Sequence, residues 1–387
     1  MDLYISGAAV TPFGKFPGRT IPELATEAVD AAIADAGCEP GEIGFAAFGN
    51  AASSMITGQA MIQGQLALLD GQLAGAQIVN VENACASSST AVQLAMMAVR
   101  SGQCDTALAV GAEKLSHPDK TRAFAALGAA VDVTVLDPDA SERNSVFMNL
   151  YAAEARRYLA ETGAPVESLA HAAATVRFHG SRNPKAQYRE AYMPEEILAS
   201  RMIDDPLTLL MCSPIGDGAA AVVVTNRRPA ADAVAIRGAA LRSARRQEGG
   251  GLVTRVTELA FAEAGLRPSD VDVVELHDAA ASAALVILEE MGIVGQGEAW
   301  KLAMDGQLRF DGAVPVNPSG GLISRGHPVG ATGCAQLVEL VDQLRGRCGD
   351  RQVPNARIAA AQNAGGAVTL DDPYTAAVCA VTVLERR

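Results

Sequence analysis

Short apolar runs alternate with longer stretches of helical spacing along this chain, and glycine or proline marks nearly every change. Residues 3–10 read as a strand. Ile21 to Ala36 read as an amphipathic helix, with Thr20 placed to cap its start and Gly37 to stop it. Glu42 to Gly49 read as a buried strand. Residues 51–75, rich in Gly, Gln, Met and Leu, predict a helix that leads into a strand at 77–81. A sharp polar turn follows, then the Ala/Met/Leu-rich helical segment Ala91–Arg100 and a strand at Thr106–Val110.

The stretch from about Lys114 to Leu210 breaks this rhythm. It carries long helical patterns at Ser145–Thr162 and Val166–Phe178, loops rich in Pro and Arg, and most of the tyrosines. It reads as an insertion laid over a sheet, the kind of segment that covers a substrate. The core pattern returns at 211–225, with a strand at Ala219–Thr225, and a linker follows near 227–232. The layout then repeats. Gly37 and Gly265, like Pro40 and Pro268, stand 228 residues apart (265 − 37 and 268 − 40). A strand follows each pair, at Ile43–Phe48 and Val271–Leu276. The run Val314–Asn317, a Gly-rich turn and the helix Ala331–Leu344 echo Val79–Arg100, and a last strand at Ala356–Ala361 with a β-rich tail echoes Thr106 onward. Two similar βα halves, 1–230 and 231–387, account for this, with a site between them at the strand ends.

Composition narrows the class. The chain has 387 residues, 49% hydrophobic and 19% charged, so it is globular and large enough for two cores. Aromatics are only 4% while Ala and Gly abound, which suits closely packed α/β layers. A net charge of −13 argues against a nucleic-acid binder. Arg242, Arg245 and Arg246 form a small basic cluster, which reads as a solvated surface. The seven cysteines include no C-x-x-C pair, so their spacing supports no metal site, and their odd number fits a reducing cytoplasm. The N-terminus lacks the pattern of a signal peptide, and no apolar run is long enough to span a bilayer.

Two stretches carry candidate chemistry. The first is Val79–Thr90, which reads as strand, elbow and helix with Cys85 at the elbow. A cysteine there is either a small apolar filler or a nucleophile whose thiolate the helix N-terminus favours. The second is Asn317–Gly333, where five glycines and two prolines specify a fixed loop around His327.

These stretches resemble the thiolase superfamily, and most of all its sterol-carrier-protein-type members. The likeness extends to Gly111–Lys114, Asp217–Ala220, the His277–Asp278 pair and Gln362–Gly366. It implies an α/β fold, a five-layer αβαβα sandwich of two duplicated halves with an inserted loop domain. By the same resemblance, Cys85 takes the acyl group as a thioester and His327 activates that thiol. The backbone N–H groups of Cys85 and Gly365 form an oxyanion hole, and His277 holds the thioester oxygen of a second acyl-CoA. No cofactor is permanently bound; coenzyme A and acyl-CoA are substrates. The resemblance further implies a homodimer or dimer of dimers, and a small OB-fold/zinc-ribbon partner in some relatives. Two departures stand out. Asn363 occupies the place where ordinary thiolases carry a second catalytic cysteine, and Ala279 the place where the sterol-carrier type carries it. Cys334 and Cys379 fit neither place and read as core residues. The thiolase-like Gly-His-Pro loop favours thiolytic cleavage or Claisen formation of a β-ketoacyl-CoA through an acyl-Cys85 intermediate. The alternatives are altered carbon–carbon chemistry on the same fold, whether decarboxylative condensation, transfer to a non-CoA acceptor or retro-aldol cleavage, and a non-catalytic scaffold or lipid-handling subunit.

Overall fold

Helix α1 (Ile21–Ala36) begins where two side chains close on each other. Thr20 Oγ1 accepts from the Glu23 N–H, and the Glu23 carboxylate accepts the Thr20 N–H at 2.7 Å. It ends at Gly37, whose φ of 61° no β-carbon opposes. Both ends fall where the sequence pattern puts them. The structure, a computed structural model, describes residues 1–134, 145–229, 232–245, 251–369 and 376–387.

Strands β1 (Leu3–Val10), β2 (Phe45–Gly49), β3 (Ile78–Val81), β4 (Thr106–Glu113) and β5 (Gly218–Thr225) pair in the order β3-β2-β4-β5-β1. Strands β6 (Val234–Ser243), β7 (Val273–Glu275), β8 (Ile358–Ala367) and β9 (Ala376–Arg386) continue as β6-β9-β8-β7. Val316 adds one parallel bridge to Val274, where a counterpart of β3 belongs. Directions repeat as well. β2 runs parallel to β3 and β4, while β4–β5 and β5–β1 are antiparallel. β7 runs parallel to β8, while β8–β9 and β9–β6 are antiparallel. Among the described residues, the two sets of strands pair through Leu3–Ile236, Tyr4–Ala235 and Ile5–Val234.

The main helices after α1 are α2 (Ser87–Arg100), α3 (Val146–Thr162), α4 (Glu167–Ser181), α5 (Leu252–Ala264), α6 (Ala281–Glu290) and α7 (Thr332–Leu344). Helices α2 and α7 pack together between the two sheets. Ala91, Ala95, Val338 and Val341 meet Ala109 and Val222 of one sheet and Val273 and Ala359 of the other. Helix α1 covers the far side of the first sheet through Leu24 and Ala28, against Phe48 and Leu108. Helix α5 covers the second through Val256 and Ala260, against Val381 and Val383. The layers therefore run αβαβα. Small residues make this stacking close: a β-carbon on Gly7 would lie 2.1 Å from Ala32 O, and one on Gly238 would lie 2.1 Å from Ala260 O. The two contacts are equivalent positions of the repeat.

The structure revises several element boundaries. Residues 51–75 form two short helices, Ser53–Thr57 and Gln63–Ala67, because Gly58 turns left-handed between them at φ 84°. Pro40 to Glu42 make a 3-10 turn, so β2 starts at Phe45 rather than Glu42. The last predicted strand runs on to Ala367 and carries Asn363 and Gly365 within it. In the basic cluster, Arg242 and Arg245 are exposed, and Arg246 lies outside the described residues.

Candidate active site

The run after Cys85 is rich in hydroxyls, and each does local work. Ala84 adopts φ 48°, and Ala84–Ala86 turn tightly before α2 begins at Ser87. Ser87 Oγ accepts the Asn83 N–H at 2.9 Å and donates to Ala84 O at 2.7 Å. Thr90 Oγ1 donates to Ala86 O and accepts from Asn83 Nδ2, each at 2.9 Å. Ser88 Oγ accepts the Cys334 N–H of α7 at 3.0 Å, and Ser89 Oγ donates to Asn363 Oδ1 of β8 at 3.2 Å. The elbow is thus tied internally and to the second half. Gly365 lets β8 approach it, since a β-carbon there would meet Asn83 O at 2.5 Å and Cys85 N at 3.0 Å.

Cys85, His277 and His327 come together. Cys85 Sγ and one ring nitrogen of each histidine all lie within 4.8 Å of one another. The two rings stand edge to face, with centroids 5.0 Å apart and planes at 83°. Second contacts set their tautomers. Thr332 Oγ1 gives its proton to Pro328 O at 3.1 Å, so at its 2.7 Å contact with His327 Nδ1 it accepts. His327 therefore carries its proton on Nδ1 and keeps a lone pair on Nε2. Asn363 has the opposite effect on the other ring. With its Oδ1 taken by Ser89, its Nδ2 donates to His277 Nδ1 at 3.1 Å, which leaves the His277 proton on Nε2. One ring offers a base and the other a donor.

All three groups rest neutral. Burial lowers His277 to about 4. Burial holds His327 well below the usual histidine range, and the nearby His277 ring and Arg325 guanidinium, which oppose a second positive charge there, add to it. Burial pushes the Cys85 thiol up to about 12, helped by the Glu113 carboxylate; the N–H groups of Cys85 and Gly366 pull the other way without prevailing. The elbow leads one to expect a thiolate at the helix N-terminus; desolvation outweighs that field.

Sequence reasoning missed the supports of the trio. Glu113 is fully buried and accepts the N–H groups of Ala51, Ala52 and Gly330, plus Asn50 Nδ2. It clips the loop after β2 to the His327 loop, and burial raises it to about 7. Arg325 meets Glu275 at 3.3 Å in a buried pair, and Glu275 also accepts the Ser319 N–H and hydroxyl. Asp278 accepts the Leu322 N–H at 2.7 Å. These contacts join residues far apart in sequence, and no local spacing signals them. Cys212 was also overlooked: it lies beside Ala279, bridged to Ala280, with its thiol on Thr208 O at 3.4 Å.

The trio opens on a cavity of about 830 Å³ between the core and the insertion. Phe124, Phe147, Met148 and Tyr151 of the insertion line it, with Ile215 and Val329. Exposed Lys15, Lys120 and Arg201 stand at its mouth. Among the described residues, no helix is long and apolar enough to cross a membrane.

A duplicated αβαβα core with a cysteine elbow from one half and histidine loops from the other defines the thiolase class of fold. Comparison with known proteins agrees: residues 3–228 match the family "Thiolase, N-terminal domain" and residues 251–373 match "Thiolase C-terminal domain-like". The chain belongs to the thiolase family. It is 37% identical to the acetyl-CoA acetyltransferase of Methanothermobacter thermautotrophicus, over 94% of this chain and 96% of that protein. It is 33% identical to the benzoylsuccinyl-CoA thiolase subunit BbsB of Thauera aromatica, over 94% of each. Among solved structures it resembles an Ltp2-ChsH2(DUF35) aldolase, with a TM-score of 0.78 and 28% identity over 100% of this chain and 98% of that one.

Proposed function

We propose that this protein is an acyl-CoA acyltransferase that cleaves or forms a β-ketoacyl-CoA through an acyl-Cys85 intermediate. The observation that carries this reading is the convergence of two imidazoles on one thiol, each ring held at Nδ1 by a second residue, Thr332 for His327 and Asn363 for His277. His327 Nε2 accepts the Cys85 proton as the sulfur attacks the keto carbon of the substrate. Backbone N–H groups at the elbow and at Gly365–Gly366 hold the oxyanion. As the carbon–carbon bond breaks, the His277 Nε2–H donates to the thioester oxygen of the departing enolate. His327 returns its proton to the α-carbon, releasing the shorter acyl-CoA. The thiol of a second coenzyme A then gives its proton to His327 and attacks the Cys85 thioester; the proton ends on the Cys85 sulfur. One histidine thus shuttles one proton in each half-reaction, and Asn363 in place of a second cysteine serves to hold His277. Lys15, Lys120 and Arg201 supply a basic mouth for the phosphates of coenzyme A.

The test is to supply a β-ketoacyl-CoA with coenzyme A and look for two shorter thioesters. Release of carbon dioxide from malonyl-CoA points instead to decarboxylative condensation. A second reading, retro-aldol cleavage with a partner protein, is favoured by the likeness to the DUF35-containing aldolase complex and by the absence of a thiol at positions 279 and 363. A β-hydroxyacyl-CoA split without coenzyme A distinguishes it. We further take the working unit to be a homodimer joined along β3, an edge strand whose Val79 is exposed, on a half that also exposes Met61, Ile62 and Met97. Co-purification with a small OB-fold/zinc-ribbon protein tests whether a second subunit joins it. Seven free cysteines suit a reducing cytoplasm.

A further inference from the structure

We infer that Cys85, His277 and His327 form a binding site for a soft divalent metal ion, of which Zn²⁺ is the natural example, and that occupancy closes the acyl site. Cysteine spacing along the chain does not suggest this, because the ligands come from three separate loops. In space, Sγ and one nitrogen of each ring already lie within 4.8 Å of one another. A tetrahedral zinc ion with bonds of about 2.0–2.3 Å spaces such ligand atoms roughly 3.5 Å apart, so small side-chain rotations complete the set. One thiolate and two imidazoles are the donors such an ion prefers. Each Nδ1 is already engaged by a second residue, His327 by Thr332 and His277 by Asn363, which leaves both Nε2 atoms to converge. The fourth position faces the 830 Å³ cavity, where water or a small anion completes the shell.

The proton balance is simple. Binding forms an S–metal bond, releases the Cys85 thiol proton to solvent, and changes no oxidation state. Ligation through His277 Nε2 moves that ring's proton to Nδ1. Rotation of the Asn363 amide then presents Oδ1 to it and Nδ2 to Ser89 Oγ, with no further proton exchanged. A metal on all three groups removes the nucleophile, the base and the donor together. The site stands on geometry alone, whatever reaction the trio performs.

Co²⁺ is the probe, because its spectrum reports its ligands without any substrate. Titrating the intact chain gives a thiolate-to-cobalt charge-transfer band and intense tetrahedral visible bands, saturating at a single ion per chain and displaced by Zn²⁺. Cys85→Ser removes the charge-transfer band, and His277→Ala weakens binding at least tenfold. Asn363→Asp, which supplies an acceptor to His277 Nδ1, tightens it. A readout on the unaltered protein guards against variants that fail to fold. With Zn²⁺ at about ten times its Kd, alkylation of Cys85 slows about tenfold. Cys38 and Cys104, half-buried and outside the cavity, are unaffected. Absence of a charge-transfer band, a band that persists in a folded Cys85→Ser protein, or Cys85 alkylation indifferent to Zn²⁺ each overturns the proposal.

Discussion

Replacing Gly365 by alanine asks how much the closeness of β8 to the elbow matters. The new β-carbon would lie 2.5 Å from Asn83 O, 2.9 Å from Ala86 N and 3.0 Å from Cys85 N. All three are backbone atoms, so none can swing aside. An ordinary contact begins near 3.4 Å, which requires the strand and the elbow to part by about 0.9 Å. A displacement of about 1 Å at reacting groups costs on the order of a hundredfold in rate. Overpacking of this kind costs about 1–3 kcal/mol of stability. The expected outcome is a kcat/KM for β-ketoacyl-CoA thiolysis lowered at least about a hundredfold, in a protein that still melts cooperatively a few degrees lower. Gly41→Ala is the control, because nothing lies within 4 Å of its added carbon and its φ is ordinary. Wild-type kcat/KM in a folded Gly365→Ala protein would refute the idea that this contact aligns the thiol with its N–H donors.

Three further outcomes follow from the supporting residues. Thr332→Val leaves the His327 Nδ1–H without an acceptor; the barrier rises by about 1–3 kcal/mol, lowering kcat roughly five- to 160-fold, and Thr332→Ser restores it. Arg325→Met strands the buried Glu275 carboxylate and lowers unfolding free energy by about 3–5 kcal/mol in denaturant titrations, while the double change with Glu275→Gln recovers part of the loss. Glu113 titrates near 7 when folded and near 4.5 when unfolded, so the folded chain holds the extra proton between those values. Its contribution to stability is therefore full below pH 4.5 and is lost as pH rises toward 7. Relative to wild type, Glu113→Gln should gain melting temperature steadily across that window; a constant offset would contradict the assignment.

Local signals in the sequence were legible wherever a few neighbouring residues decide the outcome. Thr20, Glu23 and Gly37 set both ends of α1, and the glycine offset exposed the repeat, while the five-layer arrangement came from the resemblance to thiolases. Cys85 and His327 stood out because each sits in a turn too rich in glycine, proline or hydroxyls to be regular structure. What stayed hidden depends on distant packing. That Asn363 would hold His277 follows from β8 running past Gly365 beside the elbow, which strand propensity alone does not show. The hydroxyl of Thr332 gives no sign in sequence of orienting an imidazole five residues before it, and Glu113 none of clipping two loops together. The neutral state of Cys85 is a desolvation effect, which emerges only when both halves close over it. The long helix expected at 51–75 failed for a local reason, the left-handed turn at Gly58.

The most direct measurement is intact-mass analysis of the protein after incubation with acyl-CoA or β-ketoacyl-CoA, followed by peptide mapping. A single acyl adduct on Cys85, lost when coenzyme A is added and absent from Cys85→Ser, is the predicted result. A folded, metal-free protein that takes up no acyl group from a range of chain lengths, or that carries it on another residue, would contradict the role given to the trio.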